Sequence, residues 1–116
     1  MNELSREKCD VGGKDAVRLG PSEVTALLGQ LSDWRVVQRD GIDQLEKGFV
    51  FSDFTAALSF TNQVGRLAEE ENHHPSILTE WGKVTVTWWS HSLGGLHRND
   101  FIMAAKTDVL NASVVY

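Results

Sequence analysis

With 116 residues, 41% of them hydrophobic and 23% charged, the chain has the size and balance of a single folded domain. A formal net charge of -5 argues against a broad basic footprint for nucleic acid, and no apolar run approaches the ~20 residues of a membrane helix. The single cysteine, Cys9, allows no intrachain disulfide and no cysteine-pair zinc site, and the polar start Met1–Arg6 lacks the apolar centre of a signal peptide, so a cytoplasmic setting is expected.

Residues 1–20 are polar, contain Gly12-Gly13 and Gly20, and show no sustained period, which predicts a flexible N-terminal extension ahead of a domain over 21–116. Pro21-Ser22-Glu23 opens a helix, with Val24, Leu27, Leu28 and Leu31 at helical spacing and Ser32-Asp33 at its end. Residues 34–38 read as a strand, Arg39-Asp40-Gly41 as a hairpin turn, and residues 42–51 as the return strand. Ser52-Asp53 caps a second helix, in which Phe54, Ala57, Leu58, Thr61, Val64, Leu67 and Ala68 mark one buried face. Pro75 disfavours helical geometry at His74, so this helix stops before the histidine pair. A short strand at 77–79, a turn at Trp81-Gly82-Lys83 and a strand from Val84 to His91 follow. In that last strand Val84, Val86 and Trp88 share the face toward the helices, opposite Thr85, Thr87, Trp89 and His91. A final helix covers about Asn99 to Ala112, with Phe101, Ile102, Ala105, Val109 and Ala112 apolar.

The order helix-strand-strand-helix-strand-strand-helix predicts an α+β fold, a four-stranded antiparallel sheet with three helices packed on one face. Its open edges and uncovered face favour self-association.

Chemistry concentrates at Asn72-His73-His74-Pro75 and at His91. Imidazole titrates near neutral pH and can both donate and accept protons, so three histidines within residues 73–91 suggest a proton-transfer site. The plainer reading of His73 and His74 is a helix cap, but one cap needs one residue. His91 is grouped with them because residues 74 and 91 lie nearly equidistant from Gly82, which sets them across from each other in a regular ladder. His97 reads as a surface or cap residue. Asp100 suits the first turn of the last helix and can also orient an imidazole. Glu69 is placed to turn inward one helical turn before His73, while Trp81 serves either turn packing or as an aromatic wall. Three histidines also suit a zinc site, but adjacent residues seldom point at one ion, and no metal is expected. Cys9 lies in the extension, and no serine stands in a nucleophile elbow.

Glu70, His74 with His73 before it, Pro75, Trp81, His91 and Asp100 together resemble the signature of the pterin-4a-carbinolamine dehydratase family, also known as the dimerisation cofactor of a homeodomain transcription factor. The likeness extends to Trp34, Phe51-Ser52-Asp53-Phe54, Ala68-Glu69 and Gly95-Leu96, and covers roughly residues 22–110. His97-Arg98-Asn99 departs from it where a Ser or Thr cap is usual, and Trp89 is bulkier than the usual residue. The resemblance implies dehydration of 4a-hydroxytetrahydrobiopterin to quinonoid dihydropterin without any cofactor, as part of tetrahydrobiopterin recycling. It implies His73 and His91 as the proton-transfer groups and His74 as the pterin-orienting residue, with Pro75, Trp81, Glu69 and Asp100 around the substrate. It also implies a homodimer or homotetramer and a link to an aromatic amino-acid hydroxylase. The family's cofactor role gives the alternative of a non-enzymatic protein-binding module.

Overall fold

The computed structural model describes residues 3–9 and 17–113. The elements are a 3-10 turn at Glu3–Arg6, α1 (Pro21–Leu28), β1 (Arg35–Arg39), β2 (Ile42–Val50), α2 (Phe54–Glu71), β3 (Ser76–Glu80), β4 (Lys83–Trp88), a 3-10 turn at His91–Leu93, and α3 (Arg98–Ser113). The fold is α+β. Its four strands form one antiparallel sheet in the order β1-β2-β4-β3.

Local chemistry accounts for most boundaries. Asp40 and Gly41 both have positive φ (54° and 75°), the type I′ geometry that joins Arg39 directly to Ile42 in register. The Asp53 carboxylate accepts from the Ala56 N–H (2.8 Å) and starts α2. That helix ends in Asn72, left-handed at φ 52°, with the His73 N–H donating to the Ala68 carbonyl and the Asn72 N–H to that of Glu69. This pair of bonds is a Schellman closure, and asparagine tolerates the left-handed residue it requires. α1 is shorter than its apolar spacing predicts: it stops at Leu28, with Gly29 as its cap, and Leu31 belongs to the turn beyond.

The core lies between the sheet and the helices. Val84, Val86 and Trp88 are fully buried on the helix side of β4, beneath Ala57, Phe60, Val64 and Ala68 of α2 and Phe101 to Ala105 of α3. The buried stripe of α2 is therefore rotated from the expected one. Phe60 is fully buried and its ring stands 4.9 Å from that of Phe49 and 5.1 Å from that of Phe51, whereas Phe54 and Leu58 are exposed on the outer side. Burying a ring of that size contributes about 1.5–3 kcal/mol.

Of the expected extension, residues 3–9 lie against α3, with Leu4 only 1% exposed, whereas Gly12-Gly13 falls outside the described residues. Among the described residues no helix is long and apolar enough to cross a membrane.

Candidate active site

The end of α2, the start of α3 and the segment after β4 converge on one carboxylate. Asp100, in the first turn of α3, is fully buried. Its Oδ1 accepts from His73 Nε2 (2.6 Å), and its Oδ2 accepts from Ser90 Oγ (2.8 Å) and the His97 N–H (2.9 Å). The last bond is half of a capping box, in which the third helical residue reaches back to the cap. His97 completes the cap with its ring, since its Nδ1 accepts from the Asn99 N–H (3.0 Å). An imidazole thus does the work of the more usual Ser or Thr.

An ionised carboxylate only accepts, so Asp100 fixes the His73 tautomer with the hydrogen on Nε2 and leaves Nδ1 as the nitrogen available to a substrate. The His73 ring is nearly parallel to the buried Trp88 indole, at 9° with centroids 5.9 Å apart. Trp88 is itself held by its Nε1–H, which donates to Thr107 Oγ1 (3.2 Å). The His73 side chain retains 15% exposure, enough to meet solvent on one side.

The other histidines are placed differently. His74 turns outward and its Nε2 bonds the Glu69 carboxylate, with both side chains exposed. Glu69 therefore meets His74 on the surface and does not turn inward beside His73. His91 is not the end of a strand. β4 stops at Trp88, Ser90 pairs with Gly95 in an isolated bridge, and His91 opens the following 3-10 turn. The exposed His91 ring lies 4.3 Å from the Trp89 ring. The register between β3 and β4 pairs Ser76 with Thr87, and continuing it two residues sets His74 across from Trp89 rather than from His91. The hairpin turns on Trp81 and Gly82 together, so counting from Gly82 alone misplaces the partner. The segment after β4 still reaches the corner, because Ser90, the neighbour of His91, shares Asp100 with His73.

Pro75 is half-buried between His74 and the start of β3. Trp81 is 73% exposed in the turn at the other end of β3, and five strand residues separate it from the histidine corner by about 17 Å. Within one chain Trp81 is not part of that corner.

Ser90 and Trp88 are the residues that sequence reasoning missed as neighbours of the site. A lone serine after a strand carries no signal, and Trp88 reads simply as core. On the open face of the sheet, Glu46 accepts from Arg39 (2.7 Å), Arg35 (3.2 Å) and Thr87 Oγ1 (2.8 Å). The Arg39 guanidinium, joined by Thr87 and Arg35, holds the Glu46 carboxyl below its usual range despite burial. These groups line an open groove of about 900 Å³ that includes Trp89 but none of the histidines. Among the described residues no three His, Cys, Asp or Glu side chains are grouped to hold a metal ion.

The family model of pterin 4 alpha carbinolamine dehydratase matches residues 17–110. A transcriptional coactivator/pterin dehydratase from Brucella melitensis is similar in structure: its crystal structure superposes with a TM-score of 0.73 at 34% identity, over 80% of this chain and 97% of that one. A pterin dehydratase-like protein identified as a RuBisCO assembly factor in the alpha-carboxysome is similar at 26% identity and a TM-score of 0.58, over 71% of this chain and 93% of that one. The match includes all four strands and both members of the His73–Asp100 pair, and on it the chain belongs to the pterin 4 alpha carbinolamine dehydratase family.

Proposed function

We propose that the chain dehydrates a 4a-hydroxytetrahydropterin to the quinonoid dihydropterin by histidine acid/base catalysis. The observation that carries this reading is the His73–Asp100 pair, an imidazole oriented by a buried carboxylate and still open to solvent on one side. In the reaction the C4a–OH bond breaks and the hydroxyl leaves as water after taking a proton. The neighbouring N5 loses its proton, and a C4a=N5 double bond forms. One group must donate and another accept, and each such transfer contributes about 10²–10⁴-fold.

His73 serves one transfer through Nδ1 while Nε2 stays on Asp100. His91 serves the other; its exposed ring lies on Trp89, with its backbone tied to the corner through Ser90. His74, held by Glu69, orients the pterin at the rim beside Pro75. The product suits return to the tetrahydropterin pool used by an aromatic amino-acid hydroxylase. A homodimer or homotetramer is supported by two open sheet edges and by the exposed Val50, Leu78 and Trp81.

The two relatives, a transcriptional coactivator/pterin dehydratase and a pterin dehydratase-like RuBisCO assembly factor, favour one alternative, a protein-binding module without catalysis. A pure module has no need of a tautomer-fixing carboxylate behind a half-open imidazole, which favours the enzyme.

The test uses purified protein and carbinolamine generated in situ by a hydroxylase. Disappearance of the carbinolamine well above the spontaneous rate is expected, and His73→Ala should lower turnover by about two orders of magnitude or more while the chain stays folded. No acceleration by the folded wild type would leave the binding module as the better reading. Near-normal turnover by folded His73→Ala would remove His73 from the chemistry.

A further inference from the structure

The dyad depends on two elements staying in register. His73 lies two residues beyond the end of α2, and Asp100 is the third residue of α3. Residues 3–9 precede the part matched by the family model, yet they tie these two ends together. Leu4 is 1% exposed against α3. The Glu7 carboxylate accepts from Arg98 Nε (2.9 Å) and Nη2 (2.6 Å), a bidentate pair on the first residue of α3. Two residues later the Cys9 N–H donates to Glu71 Oε1 (3.0 Å) on the last residue of α2, and Cys9 Sγ donates to the Asn99 carbonyl (3.9 Å). Residues 7–9 thus run from the start of α3 to the end of α2. A direct contact between those helices, Lys106 Nζ to Glu71, is 3.7 Å long and weak as a hydrogen bond.

We propose that Glu3–Cys9 is a positioning strap that sets the geometry of His73 on Asp100. Its hydrogen bonds reach the dyad through Glu71, Arg98 and Asn99, and the Cys9 thiol also feels the Asp100 charge. The leverage is short: every anchor lies within two residues of a dyad member along the chain, and a displacement of about 1 Å at reacting groups can cost roughly 10²-fold in rate. The kinetic part of this inference rests on the proposed dehydration; the geometric part does not.

The test compares full-length wild type with Glu7→Ala, Leu4→Ala and the double variant. It reads the imidazole proton and nitrogen resonances of His73 by NMR, the kcat and KM of dehydration, and Tm. Leu27→Ala, in the core on α1 and outside the strap segment, controls for general loss of stability. The strap variants should shift or broaden the His73 Nε2–H resonance and lower kcat by about 10- to 100-fold, with KM changed less than about twofold. The charge-swapped pair Glu7→Arg with Arg98→Glu should recover part of both. Leu27→Ala should lower Tm and leave the resonance and kcat in place.

Strap variants with a wild-type His73 resonance would overturn the proposal, as would an equal change in Leu27→Ala. If Leu4→Ala fails to fold, Glu7→Ala alone decides. If the wild type has no dehydratase activity, the proposed function fails, and the resonance by itself decides the strap.

Discussion

At the scale of single residues, the site turns on how Asp100 spends its acceptor capacity. Three donors converge on a fully buried carboxylate, and none can be satisfied elsewhere without moving α3 or the segment after β4. Asp100→Asn keeps the shape but turns one acceptor oxygen into a donor. Either His73 must adopt the other tautomer, or the Ser90 hydroxyl or the His97 N–H loses its partner. The expected outcome is a fall in kcat of about 10²–10⁴-fold, together with a loss of about 1–3 kcal/mol in urea unfolding from the unpaired buried donor. A kcat within threefold of wild type would show that the tautomer does not matter to the rate. The participants were unevenly legible in the sequence. His73, His74 and Asp100 announce themselves by residue type and spacing. Ser90 does not, because its role exists only once α3 has carried Asp100 beside it, and the same holds for the Trp88 ring alongside His73.

At the scale of elements, turn chemistry was the most readable signal and face assignment the least. Asp40-Gly41 and Pro75 each fix a boundary through backbone geometry that few other residues tolerate. The buried stripe of α2 was harder, because Phe54 and Phe60 are equally apolar and only packing against Phe49 and Phe51 selects Phe60. The end of β4 was misplaced for a similar reason. Alternation continues through Trp89 to His91, but Ser90 gives its backbone N–H to Gly95, so the chain leaves the ladder early. The Schellman closure at Asn72 matters most for the proposed chemistry, since it leads directly into His73. The left-handed conformation disfavours a Cβ-bearing residue that lacks asparagine's local hydrogen bonding, by about 1–2 kcal/mol. Asn72→Ala should therefore lower stability by roughly 1 kcal/mol and reduce kcat, whereas Asn72→Gly should hold stability within about 0.5 kcal/mol of wild type. Urea midpoints at constant m-value check the first part, and equal midpoints for the two variants would mean that the cap carries no strain.

At the scale of the whole molecule, the α+β architecture followed from the order of elements, but the contribution of residues 3–9 did not. A single apolar anchor, Leu4, among Glu3, Ser5 and Arg6 produces no period, so the segment is invisible to any argument from patterning. It also carries a titration that couples its packing to pH. Burial, followed by the negative charge of Glu71, pushes the Cys9 thiol up from 9.0 to about 12. When the segment is released, the thiol returns to its ordinary value. Between pH 9 and about 12 the released form therefore loses a proton that the packed form keeps, so packing is at full strength below pH 9 and weakens as pH rises. One proton per opening limits the effect to about tenfold per pH unit. The Leu4 methyl resonances report the packed and released populations directly. From pH 8 to about 10.5 the released fraction should grow in wild type and stay flat in Cys9→Ala, which isolates the contribution of this proton. Parallel curves in the two chains would place the alkaline sensitivity elsewhere and leave Cys9 as simple packing. Divergent curves would make the segment a latch that opens with base, and the His73 resonance should follow it.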